Sequence, residues 1–307
     1  MASFSPVEAA LTGFRIVREH PKALIGWIIL QLVLSLSTTL SIVNFAGPAL
    51  ARLQVAGFQS LSSPTVADAL VRQMAPALAI TLPITLVIYP LFNAAMNRAV
   101  LRPQDDRFGY LRVGADEVRQ LGLVVIFSIA LFASELILIT AASAAAAAFG
   151  AIGGAVGGGI GALVVLSAGV VGLAVVALRL SLVAPMTFAT GKINFRESWK
   201  LTQGHGAAIL GAFALALLAW LLVLVLGSFF IQKLMEAVAA GLGLQAAPSA
   251  SDLSSLAHFL TPFELARMGL GAALNGLTVP LLLTPAATIY QSLARGASSA
   301  PIHETFA

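Results

Sequence analysis

The sequence predicts an all-α polytopic membrane protein: six transmembrane helices arranged as three repeats, each an amphipathic helix followed by two spans. Three observations carry this expectation. Hydrophobic residues make up 59% of the 307 and charged residues only 10%, whereas a soluble domain carries roughly a quarter charged residues. Six stretches are apolar over the roughly 20 residues that a helix needs to cross a hydrocarbon core of about 30 Å. The 17 Lys and Arg then divide very unevenly between the two sides that those stretches define.

The spans run from about 23 to 46, 75 to 100, 121 to 149, 158 to 184, 207 to 231 and 268 to 291. In lipid each can satisfy its backbone hydrogen bonds internally only as a helix. The third and fourth are separated by GAIGGAVGGGIGA, Gly150 to Ala162. Read as one helix the joined stretch is far too long for one crossing, so a tight hairpin is expected there. The start, MASFSPVEAALTGFRIVREH, is amphipathic and leads into a span too long for the core of a signal peptide, so the first span is expected in the mature protein.

Orientation follows from the cations. Arg15, Arg18, Lys22, Arg98, Arg102, Arg107, Arg112, Arg119, Arg179, Lys192, Arg196, Lys200 and Arg295 fall on one side; Arg52, Arg72, Lys233 and Arg267 fall on the other. Basic loops stay in the cytoplasm, which puts both termini there and the opposite loops in the periplasm of a bacterial inner membrane. The net charge of +4 reflects this asymmetry, and no nucleic-acid partner is expected.

Three stretches share one register. Phe14-Arg15-Ile16, Leu111-Arg112-Val113 and Trp199-Lys200-Leu201 each precede a span, with Leu24, Leu121 and Ile209 ten residues after the first member. The first and third copies also match at His20 and His205, Ala23 and Ala208, Gly26 and Gly211. Internal repetition of this kind marks a repeated supersecondary unit. One integral membrane domain therefore covers 1–307, with repeats at 5–100, 105–185 and 194–291 and a flexible tail at 295–307. Two crossings per unit leave the three units in the same orientation, related by an axis along the membrane normal.

Each repeat is expected to open with a short helix lying in the headgroup layer. Ser5-Pro6-Val7-Glu8 supplies a capping box with Pro at the first helical position. Its apolar stripe is Val7, Leu11 with Ala10, Phe14 and Val17. Phe108, Leu111, Ala115 and Val118 recur at helical spacing in the second copy, opposite Arg112, Asp116 and Arg119. Asn194 to Glu197 repeats the cap before Phe195, Trp199 and Thr202. Phe14, Arg15, Arg18, Leu111, Arg112, Arg119, Trp199 and Lys200 then form a candidate collar for anionic lipid or for another membrane subunit, each nearby cation adding about 1 kcal/mol toward an acidic leaflet.

Inside the spans the polar residues are few. Glu135 lies 14 residues into the third span, where a charge is expensive and is expected to face protein or water. Arg179 near the cytoplasmic end of the fourth span is its candidate partner or else snorkels to the interface. Asn93 and Asn97 share one face of the second span, closed by Arg98, and suit hydrogen bonding between helices. Pro83, Pro90, Pro280 and Pro285 each remove a helical hydrogen bond and are expected to bend their spans. A surface helix is expected to start near Ser63-Pro64, and a capping box at Thr261-Pro262-Phe263-Glu264.

Several chemistries are excluded. There is no Cys, so thiolate catalysis and Cys-ligated metal clusters are out. His20, His205, His258 and His303 lack ligand-spaced partners for a metal. No nucleophile stands beside a base, the glycine run lacks the Lys-Ser/Thr of a phosphate loop, and no catalytic residue, cofactor or metal is expected.

FRESWKLTQGH after LRLSLVAPMTFA, and LRPQDDRFGYLRVGADEVRQL after the second span, resemble uncharacterised six-span bacterial inner-membrane proteins. They are also loosely similar to the membrane domain that accompanies some bacterial glycerophosphodiester phosphodiesterases. No soluble phosphodiesterase domain is expected in these 307 residues, so the resemblance implies a membrane fold and does not carry over the phosphodiesterase activity. The sequence thus favours a non-catalytic lipid-interacting scaffold, assembly factor or accessory subunit. The alternative is a transporter or channel whose path is lined by Glu135, Arg179 and the kinked spans.

Overall fold

The computed structural model describes residues 4–57, 63–243 and 255–298, and every regular element in them is helical. Helix α1 is Pro6–Glu19, α2 Pro21–Ala56 and α3 Pro64–Leu101; a single 3-10 turn, Arg107–Tyr110, leads to α4, Ala115–Leu180. Then follow α5 Val183–Thr190, α6 Phe195–Leu201, α7 Gly206–Gly241, the one-turn α8 Leu256–Phe259 and α9 Pro262–Ser298. Five apolar helices are long enough to cross a membrane: Pro21–Ala51, Thr65–Leu101, Arg107–Thr190, Gly206–Gly241 and Pro262–Arg295.

The third of these folds back on itself. Gly154 has φ 62° and ψ −154°, a conformation open to glycine and strained for any residue with a Cβ. Beyond it the second arm returns along the first: a Cβ on Gly158 would stand 2.8 Å from the Ala146 carbonyl oxygen, and one on Gly161 2.9 Å from that of Ala145. The reversal falls inside the Gly150–Ala162 stretch but uses one non-helical residue rather than a loop, so both arms remain helical up to the turn. The small residues there let the two backbones touch.

The core lies elsewhere. Trp27 of α2, Phe92 and Met96 of α3, Tyr110 of the 3-10 turn and Ala287 of α9 pack as one buried cluster. Ala9 of α1, Leu182, Ile209 and Ala212 of α7, and Ile289 and Leu293 of α9 form a second. Helix α9 is shared by both and so forms the axis of the bundle. Helix α1 presses so closely on it that a Cβ on Gly13 would come within 2.7 Å of the Leu281 backbone.

The ends of the elements follow local chemistry. Ser5 caps α1 by accepting from the Glu8 amide at 3.3 Å, Asn194 caps α6 by accepting from Glu197 at 3.1 Å, and Thr261 accepts from Glu264 at 3.3 Å. Pro21 ends α1 because it has no amide to continue the ladder, and His20 serves as the C-cap of α1 and the N-cap of α2. His205 likewise caps α7.

Two expectations need correction. The segment after Ser63 is not a separate surface helix, since α3 starts at Pro64 and continues to Leu101. The amphipathic helix expected from Phe108 to Val118 does not form: Phe108, Gly109 and Tyr110 take left-handed backbone angles, Leu111 and Arg112 lie in a non-helical stretch, and α4 begins only at Ala115. Only the first and third lead-ins are helical. Of the tail expected to be flexible, residues 299–307 lie outside the described residues.

Candidate functional site

Polar chemistry concentrates where α3 ends and α4 begins. The last turn of α3 carries Arg98 and its C-cap is Arg102, the first turn of α4 carries Asp116 and Glu117, and the connector between them carries Asp105 and Arg112. Arg98 is only 2% exposed, a position a guanidinium occupies only when its charge is met. It donates to Glu117, itself buried, at 2.6 Å and to the Tyr110 carbonyl. Asp105 lies 3.7 Å and Asp116 3.8 Å away, and the Phe188 ring of α5 covers it at 5.3 Å.

Asp116 ties the network to its surroundings. It pairs with Arg102 at 3.1 Å and with Arg119 at 2.9 Å. Arg102 also donates to the Phe188 carbonyl at 3.1 Å and stacks on that ring at 4.6 Å. Arg112 pairs with Asp105. Planar guanidinium groups suit this work, because one fork can meet carboxylate, carbonyl and ring together.

The left-handed turn is held from three sides. Trp27 of α2 donates its indole N–H to the Gly109 carbonyl at 2.9 Å, Arg98 donates to the next carbonyl, and the Tyr110 hydroxyl donates to Pro103 at 3.1 Å beside the His20 ring. At Gly109 a Cβ would meet the Ala23 Cα at 2.8 Å, so glycine serves both the backbone angle and the close approach. These bonds offset a local strain of about 1–3 kcal/mol for each unusual residue. The arrangement fixes α2, α3, α4 and α5 to one another.

The sequence-predicted residues separate into groups. Asn97 donates to Asn93 at 2.7 Å, within α3 itself. Glu135 is exposed on α4 rather than turned toward protein, and no partner for it occurs among the described residues. Arg179 is not brought to it: the guanidinium donates to the Thr202 carbonyl at 2.7 Å and lies 6.0 Å from the Trp199 ring. The pair expected to mark an intramembrane path is therefore not formed.

The collar residues divide as well. Phe14, Arg15 and Arg18 are exposed on α1, whose opposite face of Ala9, Ala10, Gly13 and Ile16 is buried. Trp199 and Lys200 are exposed on α6, where Phe195 anchors the helix edge-to-face on Phe127 of α4 at 5.9 Å. Leu111 packs partly buried against the first core cluster, while Arg112 and Arg119 are engaged by Asp105 and Asp116. Sequence reasoning missed the Arg98 network and Tyr110. Its one visible signal was the density of opposite charges in LRPQDDRFGYLRVGADEVRQ, unusual in a chain so poor in charge.

The two ends of the bundle differ in how their cations are met. At the end carrying Lys233, Arg72 and Arg267, each has a carboxylate within one helical turn: Glu236 at 2.6 Å, Asp68 at 2.8 Å and Glu264 at 2.6 Å. At the end carrying the Arg98 network, Arg15, Arg18, Lys22, Arg107, Lys192, Arg196, Lys200 and Arg295 are all exposed and none has an ion-pair partner among the described residues. No group of three or more potential metal ligands occurs among the described residues. Comparison with protein-family models, with curated proteins and with solved structures finds no match to this chain.

Proposed function

We propose that this chain is a non-catalytic integral protein of a bacterial inner membrane, a lipid-interacting scaffold or accessory subunit whose basic end faces the cytoplasm. In this reading α4 crosses twice, giving six crossings. The short helices α1 and α6, each followed by a capping histidine and a long span, are the lead-ins of related units, and the middle unit has exchanged its lead-in for the Arg98 network.

The observation that carries the proposal is the contrast in cation pairing. A cation paired within its own helix adds little attraction toward a lipid surface, whereas an unpaired one adds about 1 kcal/mol near an anionic leaflet. The unpaired cations stand beside exposed apolar side chains: Val7 at 54%, Leu11 at 46% and Phe14 at 41% exposure on α1, Phe108 at 86%, and Trp199 at 39% on α6. Cations flanking apolar side chains are what a headgroup layer accommodates. A partner subunit would meet the same end or the outer face of α4.

The test is lipid preference in defined bilayers. The full chain is reconstituted in nanodiscs containing phosphatidylglycerol and phosphatidylcholine in equal amounts, and the lipid retained around it is quantified. Enrichment of phosphatidylglycerol, lost when Arg15, Arg18, Lys22, Arg196 and Lys200 are changed together to Gln, supports the proposal. No enrichment, or enrichment unaffected by those changes, overturns it.

A further inference from the structure

Between α3, the two arms of α4 and the start of α5 lies a cleft of about 400 Å³. Its position within long apolar helices makes bilayer lipid, not water, the surrounding solvent. Tyr89, 47% exposed, is among the residues that line it. No charged side chain lines it.

Its polar groups are neutral and only partly used. Asn93 accepts from Asn97 through its side-chain oxygen, which leaves its NH2 to donate. Gln120 donates its amide to the Ala184 carbonyl at 2.9 Å, which leaves its oxygen to accept. The Tyr89 and Ser128 hydroxyls have no hydrogen-bond partner among the described residues. In hydrocarbon such groups carry a penalty until something satisfies them. Tyr89, Asn93 and Ser128 each present an O–H or N–H that can donate, so an uncharged ligand that carries hydrogen-bond acceptors and is attached to hydrocarbon complements the cleft. Phe127 and Leu131 continue the wall apolar along α4, reaching about 16 Å from Gln120 at Leu131 by the helical rise per residue.

We propose that this cleft binds the glycerol-ester region of one diacylglyceryl lipid. The ester carbonyls accept from Asn93, Tyr89 and Ser128, and an acyl chain runs along Phe127 and Leu131. Because no charge lines the cleft, it reads the ester backbone and not the headgroup. The inference rests on the chain being membrane-embedded, as proposed above, and not on the anion preference of the basic end.

The experiment is native mass spectrometry of the full chain in mild detergent, after incubation with diacyl phosphatidylglycerol, diacyl phosphatidylethanolamine or a dialkyl-ether phosphatidylethanolamine that lacks the ester carbonyls. One diacyl lipid retained per chain with either headgroup, and retention of the ether analogue weaker by about tenfold, is the expected result, since losing one or two hydrogen bonds is of that size. Ala177→Trp, at an exposed position on the wall, fills the cleft and abolishes retention, while Ser128→Ala lowers it with an unchanged melting temperature. Equal retention of the ether analogue, or lipid still bound to a folded Ala177→Trp protein, overturns the proposal. So does retention restricted to phosphatidylglycerol and lost with the basic-end substitutions, an outcome that instead upholds the charge reading; failure of the charge reading alone leaves the ester dependence intact.

Discussion

Helix α9 and the hairpin of α4 invert the rule that holds in water. The most apolar window of α9 has a mean hydropathy of 1.4 and is 56% buried; that of α4 reaches 2.6 and is 6% buried. In a soluble protein the more apolar helix would lie at the centre. Here the less apolar one does, because a span that only touches lipid needs hydrocarbon side chains all round, while a span that touches five other elements needs small residues, threonines and a tight fit. Helix α9 has them: Gly276, where a Cβ would meet Ile28 at 2.7 Å, and buried Thr278, Thr284 and Thr288. Hydropathy reports what a helix faces, and the bundle is organised by close approach and by the Arg98 network.

This difference is open to test by substitution, with thermal unfolding in mild detergent as the common readout. Removing one partner of a buried ion pair leaves the other charge unmet, so Glu117→Ala, which strips Arg98 of its nearest carboxylate, is expected to cost about 3–5 kcal/mol and to be the largest effect in the molecule. Gly13→Val drives a side chain into the α9 backbone and is expected to cost about 1–3 kcal/mol. Gly154→Ala is comparable in origin but confined to the hairpin tip, where strain of about 1–3 kcal/mol should lower the melting temperature while leaving the α2, α3 and α9 core intact to limited proteolysis. On the outer face of α4, Ile137→Val is expected to change stability by less than about 0.5 kcal/mol. Glu135→Gln belongs with it as the smallest change expected, since no partner for that carboxylate occurs among the described residues. A loss at Glu135 comparable to that at Glu117 would mean that the exposed face of α4 is covered by another subunit, and the comparison with α9 would then describe an isolated chain only.

How much of this was legible in the sequence depends on the range of the interaction. Short-range features could be read directly: the caps at Ser5, Asn194 and Thr261 need only residues three apart, and the glycines around 154 permit a reversal where no single crossing fits. The paired roles of His20 and His205 at the heads of α2 and α7 followed from a shared register. The Arg98 site was not legible, because its bonds join residues distant along the chain: Trp27 to Gly109, His20 to Tyr110, Arg102 to Phe188. Those same bonds explain why the middle lead-in is not a helix. Phe108, Leu111, Ala115 and Val118 have the right spacing, but Trp27 and Arg98 take the carbonyls of Gly109 and Tyr110, and the backbone turns left-handed to present them. Glu135 misled for a related reason: a carboxylate inside an apolar stretch argues that something should meet it, but not that the group lies in the same chain.

The disposition of charge across a membrane is the central claim, and the cysteine-free sequence allows a direct measurement. Single cysteines are placed at Gly153→Cys, at the hairpin tip where a side chain meets open space, and at Lys192→Cys, in the exposed turn between α5 and α6. Intact cells are then treated with a membrane-impermeant maleimide. The account predicts labelling of the cysteine at 153 from outside and of that at 192 only after the membrane is opened. Labelling of both from the same side would contradict it, since α4 would then not cross twice and the unpaired cations would not face the cytoplasm.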